Sequence, residues 1–124
     1  MRPSTLKILR VYLIFTMLIP LFAFAAADYF QQGTASYYAE KFHGKKTASG
    51  EFYDKHKFSA AHRTLAFGTN VRVTNLANNK SVVVTINDRG PHTKNRIIDL
   101  SYEAARKIGM IKSGTAKVRV EILD

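Results

Sequence analysis

Two alternating segments in the middle of the chain limit the fold more strongly than any other feature of the sequence. The segments NVRVTNL (70–76) and KSVVVTIN (80–87) are rich in β-branched side chains, and the short segment ANN (77–79) separates them. β-branched residues pack well on a pleated surface, and asparagine tolerates the backbone angles of a tight turn. The pattern therefore predicts a β-hairpin with one face, including Val84, in the core.

Other short apolar segments predict further strands around this hairpin. The segments GTASYYA (33–39), IIDL (97–100) and KVRVEIL (117–123) have the apolar pattern and the length of typical strands. The segment 58–67 is compatible with either a strand or a turn of helix. A polar, glycine-punctuated segment, FHGKKTASGE (42–51), predicts a loop outside the core.

One short helix is predicted near the C-terminus. Ser101 can cap its start, Tyr102, Ala105 and Ile108 would lie on one of its faces, and Gly109 would end it. About six strands and one helix make the chain mainly β. Many short strands favour a small barrel or a sandwich, and closure into a barrel would remove the exposed strand edges.

The first 27 residues predict a secretory signal peptide. Three basic residues precede an uncharged run from Val11 to Ala27 that ends in small residues, so cleavage is expected just before Asp28. An uncleaved membrane anchor is the alternative, but a span needs about 20 apolar residues, and this run is shorter and contains Pro20. Residues 28–124 are then expected to form one domain in the periplasm or outside the cell, without stable membrane insertion.

The charge of the chain predicts an anionic partner more readily than a nucleic acid. The formal net charge is +10 at pH 7, which in an exported protein suits envelope polymers or phospholipid head groups. No aromatic-basic motif for RNA is present, so no nucleic acid partner is expected. Because the basic residues are scattered, solubility alone is the alternative explanation.

The absence of cysteine and the spacing of the histidines argue against metal and thiol chemistry. The chain has no cysteine, which excludes a thiol nucleophile, a thiolate metal site and a lipid-modified N-terminal cysteine. The four histidines, at positions 43, 56, 62 and 92, show no zinc-type pairing at short spacing. We therefore expect neither a metal nor another cofactor.

Asp88 is the candidate for chemistry because it ends the second strand of the predicted hairpin. Arg89-Gly90-Pro91 follows it, and glycine and proline together impose a stiff turn. A carboxylate at a rigid strand end is well placed for catalysis. Capping of the turn by the Asp88 side chain is the structural alternative.

Three blocks of the sequence resemble consecutive blocks of the rare lipoprotein A (RlpA) family. They are ASYYAEKFHGKKTASGE (35–51), FSAAHRTLAFGTNVRVTNL (58–76) and VTINDRGPHTKNRIIDLS (84–101), in the family's order and spacing. The resemblance implies a six-stranded double-psi β-barrel with one or two short helices. It also implies an endolytic lytic transglycosylase, which cuts peptidoglycan strands between N-acetylmuramic acid (MurNAc) and N-acetylglucosamine (GlcNAc) and leaves 1,6-anhydro-MurNAc ends.

The resemblance assigns roles to individual residues of this chain. The family's catalytic positions match Asp88 in NDRGP, His62 in AAH and Glu51 in SGE. The residues expected to bind the glycan are Asp54, Tyr38, Ser49 and Arg89. His62 as a wall histidine and Glu51 as an exposed loop charge are the structural alternatives.

This chain departs from the family's usual pattern at several points. The lipobox cysteine and the separate peptidoglycan-binding domain of many members are missing, and Phe52 and Ala66 stand where proline is common. For this chain the resemblance therefore implies neither outer-membrane anchoring nor septal targeting. The expected state is a monomer that acts on peptidoglycan strands with few stem peptides, with cell-division or envelope proteins as further partners.

The chemistry of the reaction gives these residues expected tasks. An acid must protonate the leaving oxygen while positive charge develops on the sugar, and Asp88 is the predicted acid. As a carboxylate it could then take the proton of the muramic 6-hydroxyl as that group closes on the anomeric carbon. Glu51 is expected to favour protonated Asp88 and stabilise the cation, and His62 to orient either carboxylate.

A binding module is the alternative function. An expansin-like barrel could hold peptidoglycan or another polysaccharide without cutting it. The aromatic residues Tyr37, Tyr38, Phe42, Phe52 and Tyr53 are expected mainly in the core, although some could line a glycan groove.

Overall fold

Six strands, one α-helix and one 3₁₀ turn make up the regular structure of residues 30–124, which the computed structural model describes. The predicted signal peptide, residues 1–27, lies outside the described residues. Helix α1 spans Tyr102–Lys107, and the 3₁₀ turn spans Glu40–Phe42. The strands are β1 Phe30–Tyr37, β2 Ser59–His62, β3 Asn70–Asn75, β4 Ser81–Asp88, β5 Arg96–Leu100 and β6 Ala116–Ile122.

The strands close into a barrel in the order β1-β5-β2-β4-β3-β6. β1 is parallel to β5 and β2 is parallel to β4, while the other four neighbouring pairs are antiparallel. Closure removes the open sheet edges that a sandwich would leave. The barrel prediction is therefore confirmed over the sandwich.

The core lies inside the barrel and is built from alternating side chains. Along β4, Val82, Val84 and Ile86 are at most 5% exposed, whereas Val83 between them is 45% exposed. The predicted burial of Val84 is confirmed by this alternation. The other strands contribute the fully buried side chains Ala35, Val71, Val73, Ile98, Leu100, Val118 and Val120.

The predicted hairpin is present, with a turn that uses its asparagines. β3 and β4 pair from Asn70 opposite Thr85 to Thr74 opposite Ser81. Asn79 closes the turn in the left-handed region at φ 63°, a conformation that asparagine tolerates better than most residues.

The ambiguous segment 58–67 contains a short strand. β2 pairs with β4 on one side and β5 on the other, and all four of its residues are buried. Burial on both faces removes the alternation by which a strand is recognised in a sequence. The first strand also begins at Phe30 rather than at residue 33, because its first residues pair with β6.

Helix α1 starts where the sequence predicts, and two of the three residues expected on one of its faces are fully buried. The Ser101 hydroxyl accepts a hydrogen bond from the Ala104 N–H at 3.3 Å, and Ala105 and Ile108 are fully buried. Tyr102 is 37% exposed, and its ring lies 6.1 Å from that of Tyr37, centroid to centroid. No helix within residues 30–124 is long and apolar enough to cross a membrane.

Candidate active site

Asp88 is the last residue of β4, at one end of the barrel. It pairs with Ala61 of β2, after a shift of register between Ala60 and Ala61. The next residues turn away sharply: Gly90 has φ 133°, and the Gly90–Pro91 peptide bond is cis. Residues that carry a side chain rarely adopt this φ. Glycine is therefore required at the point where the chain leaves the strand.

Three hydrogen bonds hold the Asp88 carboxylate. Its Oδ2 accepts from the Tyr38 hydroxyl at 2.5 Å. Its Oδ1 accepts from the backbone N–H groups of Ala48 and Arg89, each at 2.9 Å. The bond from the Arg89 N–H is the turn-capping contact of the structural alternative, and the other two bonds come from separate parts of the chain. The carboxylate is therefore oriented by long-range contacts as well as by its own turn.

An aromatic cluster fixes the Tyr38 hydroxyl. The ring of Tyr38 lies 4.4 Å from that of Tyr53 and 6.0 Å from that of Phe42, centroid to centroid. The Tyr53 hydroxyl in turn accepts a hydrogen bond from the Tyr102 N–H. Burial, followed by the hydrogen bond to Asp88, raises the pKa of Tyr38 far above its ordinary value. Tyr38 therefore remains a neutral hydrogen-bond donor to Asp88.

The loop before Tyr53 brings Ser49 and Glu51 to the same end of the barrel. The Ser49 N–H donates to the Asn87 carbonyl at 3.2 Å, which ties the loop to the end of β4. The Ser49 hydroxyl lies 3.4 Å from Glu51 Oε1. Glu51 is exposed and makes no hydrogen bond to Asp88 among the described residues. Its expected influence on Asp88 is therefore not through direct contact.

His62 supports its own loop and contacts neither carboxylate. Its Nδ1 accepts from the N–H groups of Thr64 and Leu65, both at 3.2 Å. Its Nε2 lies 3.0 Å from Gln31 Oε1, and must be the protonated nitrogen because Nδ1 is an acceptor. Within residues 30–124 the ring gives no hydrogen bond to Asp88 or Glu51, so it does not orient either residue in the way expected.

The buried His62 predicts that acid will destabilise the fold. Burial, and then the charges of Arg89 and Arg63, lower the pKa of His62 below its ordinary value. Below the pH of about 6.5 at which a free histidine titrates, the unfolded chain binds a proton that the folded chain does not. Stability is therefore present above this pH and is lost as the pH falls towards the lowered folded-state pKa.

We expect His62→Asn to have a shallower loss of melting temperature between pH 7.5 and pH 5.5 than the unchanged chain. The asparagine Oδ1 can take over the acceptor role of Nδ1, while the titrating ring is removed. The other three histidines are common to both chains and cancel in the comparison. Thermal denaturation at both pH values measures the effect, and equal slopes would show that His62 is not the group responsible.

Arg89 holds the loop after β2. Its Nη1 donates to the carbonyls of His62 and Leu65 at 3.2 and 2.7 Å. Its guanidinium stacks 4.1 Å from the ring centroid of Phe67. These contacts use Nη1 and one face of the guanidinium, so Arg89 has a structural role beside the role in glycan binding expected of it.

A cleft of about 450 Å³ opens beside Asp88. Its wall includes Tyr38, Phe42, Lys46, Asp88 and Asp99. Neither Asp99 nor Lys46 was singled out as a site residue from the sequence. The signal for Asp99 was the interruption of the apolar run IIDL by an acid.

A second recess, of about 480 Å³, adjoins the cleft and is basic. It shares Arg89 and His92 with the cleft and adds Arg63 and Lys94. The Arg63 side chain also donates to the carbonyls of Pro91 and Thr93, and so holds the loop that forms the recess. An anionic ligand in the cleft would therefore meet positive charge along this side.

The remaining predicted residues lie at the edge of the site or outside it. Asp54 accepts a hydrogen bond from the His56 N–H at 2.9 Å, which lowers its pKa, and it is not part of the cleft wall.

Phe42 and Phe52 are 39% and 67% exposed, so the prediction that they lie in the core is wrong. The part of the chain described here contains no group of three or more side chains arranged to hold a metal ion.

Sequence comparisons identify similar proteins over most of the chain. A family model described as "Lytic transglycolase" matches residues 30–120. A protein of Pseudomonas aeruginosa named "Endolytic peptidoglycan transglycosylase RlpA" is 54% identical over 99 residues, which are 80% of this chain and 29% of that protein. Proteins of the same name from Neisseria meningitidis and Campylobacter jejuni are 54% and 56% identical, over 77% and 73% of this chain. The chain spans only 29–40% of the length of these three relatives.

Solved structures with a similar fold are more distant in sequence. A Streptomyces papain inhibitor has a TM-score of 0.64 at 20% identity, over 77% of this chain and 96% of that one. An expansin of Clavibacter michiganensis has a TM-score of 0.63 at 19% identity, over 77% of this chain and 51% of that one. At these identities the likeness concerns the fold alone. Together with the closed six-stranded barrel, it confirms the predicted double-psi β-barrel.

Proposed function

The chain belongs to the lytic transglycolase family, which includes RlpA, and from this membership we propose that it is an endolytic peptidoglycan lytic transglycosylase. Its proposed reaction cleaves glycan strands between MurNAc and GlcNAc and leaves 1,6-anhydro-MurNAc ends. The observation that carries the proposal is the oriented Asp88 carboxylate in the wall of the cleft.

Asp88 acts first as an acid and then as a base in the proposed reaction. Protonated Asp88 gives its proton to the glycosidic oxygen, and the bond from that oxygen to the muramic anomeric carbon breaks. The muramic 6-hydroxyl oxygen then bonds to the same carbon, and its proton passes to Asp88. The carboxyl group is thereby restored, and no water or cofactor is consumed.

The hydrogen bonds around Asp88 suit this double role. Tyr38 occupies one lone pair of Oδ2 and leaves the other for the transferred proton. The two backbone donors hold Oδ1 and prevent the carboxylate from rotating as the proton leaves and returns. Preorganisation of this kind lowers the barrier because little rearrangement is needed during the reaction.

Glu51, Ser49 and His62 have supporting roles in this proposal. Ser49 and Glu51 belong to the loop whose Ala48 N–H binds Asp88, so they can contact a glycan that enters the cleft. His62 is a positioning residue, because its loop carries two carbonyls that anchor Arg89. Asp54 is not part of the cleft wall, so it can contribute only to the outer part of a long glycan site.

The finer points of the proposal concern the substrate and its location. The basic recess beside the cleft supports a glycan whose muramic lactyl carboxylates are free of stem peptides. The relatives named for peptidoglycan cleavage support a place in the cell envelope. We further propose removal of residues 1–27 on export, a monomeric domain in the periplasm or outside the cell, and recruitment by cell-division or envelope proteins.

Product analysis tests the proposed function. Purified peptidoglycan, with and without prior removal of stem peptides, is incubated with the chain, and the products are identified by mass spectrometry. We expect anhydro-muramic ends, in larger amount from the stem-free glycan. New reducing ends would instead identify a hydrolase. Sedimentation with peptidoglycan but no product would support the expansin-like binding module, for which the structures now offer only a likeness of fold.

A further inference from the structure

We propose that Asp99 is a second carboxylate of the active site, which contacts the bound sugar and stabilises positive charge at its anomeric carbon. The proposed role of Asp99 depends on the proposed function and extends it to a residue outside the sites assigned from the sequence. Asp88 moves the proton, and Asp99 remains an anion throughout.

The barrel topology sets Asp99 across from Asp88. Strand β2 lies between β4 and β5, and its residue Ala61 pairs with Asp88 on one side and with Asp99 on the other. Two strand spacings separate the backbones of the two acids by about 9.6 Å. Both side chains form part of the wall of the same cleft. Glycosidases commonly place a pair of carboxyl groups on either side of the bond that they cleave.

Contacts with Ser36 and Arg96 hold the Asp99 carboxylate in place. Ser36 of β1 donates a hydrogen bond to Oδ1 at 2.5 Å, and the Arg96 Nε lies 3.5 Å from the same oxygen. The side chain is 16% exposed. Its Oδ2 accepts no hydrogen bond from any residue between 30 and 124, which leaves that oxygen for a ligand in the cleft.

The charges of both carboxylates act on the Tyr38 hydroxyl. After burial and the hydrogen bond to Asp88, the charges of Asp88 and Asp99 are the next causes that raise the pKa of the Tyr38 hydroxyl. The charge of Asp99 is therefore felt at the atom that hydrogen-bonds Asp88. A sugar ring bound against Tyr38 would lie within reach of both acids.

The other nearby acids are less suited to this role. Glu51 is exposed and is absent from the wall of the cleft. Asp54 uses one oxygen to cap its own loop at His56. Among the acids of residues 30–124, only Asp88 and Asp99 line the cleft, and Asp88 is already committed to proton transfer.

The charge balance of the reaction defines what Asp99 does. When the glycosidic bond breaks, its electrons go to the leaving oxygen, and the anomeric carbon and ring oxygen become positive. The anion of Asp99 opposes that charge without forming a bond. The charge disappears when the muramic 6-hydroxyl attacks and gives its proton to Asp88.

The rate test uses Asp99→Asn, which keeps the shape of the side chain and an oxygen that can accept from Ser36. We expect kcat for formation of anhydro-muramic ends to fall about 10²- to 10³-fold, with KM changed by less than about threefold. Glu121→Gln, which removes a carboxylate on β6 outside the cleft wall, should retain full activity. Circular dichroism of both variants measures the folded fraction. A wild-type kcat for Asp99→Asn, or a loss explained by unfolding, would overturn the role of Asp99 and leave the proposed function standing.

A binding test separates the role of Asp99 from the proposed reaction. Its probes are chitotriose and a chitotriose analogue with a protonated nitrogen in place of one ring oxygen, titrated by calorimetry. We expect Asp99→Asn to weaken binding of the cationic analogue by about tenfold or more and to leave neutral chitotriose unaffected. This result, with no anhydro-muramic product from the unchanged chain, would retain Asp99 as the charge-stabilising group and reject the proposed reaction. Equal losses for both probes, or no loss for either, would overturn the inference.

Discussion

Asp88→Asn is expected to lower the rate of anhydro-muramic end formation by roughly 10²- to 10⁴-fold, the range found for removal of a general acid or base. An asparagine at this position cannot carry the proton to the leaving oxygen or take it back from the 6-hydroxyl. The effect should appear in kcat, because the side chain keeps its size and the cleft keeps its shape.

The geometry explains why the fold should tolerate this substitution. The asparagine Oδ1 can accept from the N–H groups of Ala48 and Arg89, as the aspartate Oδ1 does. The Nδ2 group then meets the Tyr38 hydroxyl, whose oxygen can accept a hydrogen bond as well as donate one. Loss of activity with retained structure is therefore the specific signature of proton transfer by Asp88.

The measurement is the initial rate of anhydro-muramic end formation on stem-free glycan, with sedimentation onto peptidoglycan as the binding control. Asp88→Asn should bind the glycan as well as the unchanged chain, and Glu121→Gln should be fully active. If Asp88→Asn formed anhydro-muramic ends at an undiminished rate, Asp88 would not be the acid of the reaction. The carboxylate would then be only a cap for the turn at Arg89.

Ile98→Ala is expected to lower the free energy of unfolding by about 2–5 kcal/mol. Ile98 is fully buried in β5, a strand that pairs with β1 on one side and with β2 on the other. Truncation removes apolar surface from the core and leaves a cavity that paired strands on both sides cannot close. A small domain is stable by only about 5–15 kcal/mol, so this change is a large fraction of the total.

Urea denaturation followed by circular dichroism measures this effect. Ile97→Ala is the matched control, because Ile97 is the same residue type on the opposite face of β5 and is only partly buried. In Ile97→Ala the free energy of unfolding should fall by less than about half as much as in Ile98→Ala, since less of the Ile97 side chain leaves water on folding. Equal losses would contradict the assignment of Ile98 to the interior and of Ile97 to the outer face.

Local patterns were sufficient for much of the fold. The alternation in β3, β4 and β6 predicted strands that are present to within one residue at most ends, because period-two burial is visible in the sequence itself. The cap at Ser101 and the turn after Asp88 were also predicted, since each depends on residues close in the chain. β2 was ambiguous because a strand buried on both faces shows no alternation.

The candidate site was predicted in part. Asp88 was predicted from its position at a strand end and from the resemblance to RlpA, and Tyr38 from the resemblance and its aromatic ring. The contacts of His62 and Arg89 with the loop after β2 were not foreseen, because they join groups that a sequence pattern does not relate. Asp99 was not predicted for the same reason, because its proposed role comes from sharing a cleft with Asp88.

The sequence by itself determined the strands that show alternation, the main turns, and that an acid ends β4, because these properties follow from side-chain shape and alternation over a few residues. Only the tertiary structure decided which acids share a cleft. Closure of the barrel inserts β2 between β4 and β5 and so aligns Asp88 with Asp99. Such pairing depends on contacts between distant segments, whose register is set by the packing of the whole core and by no local pattern.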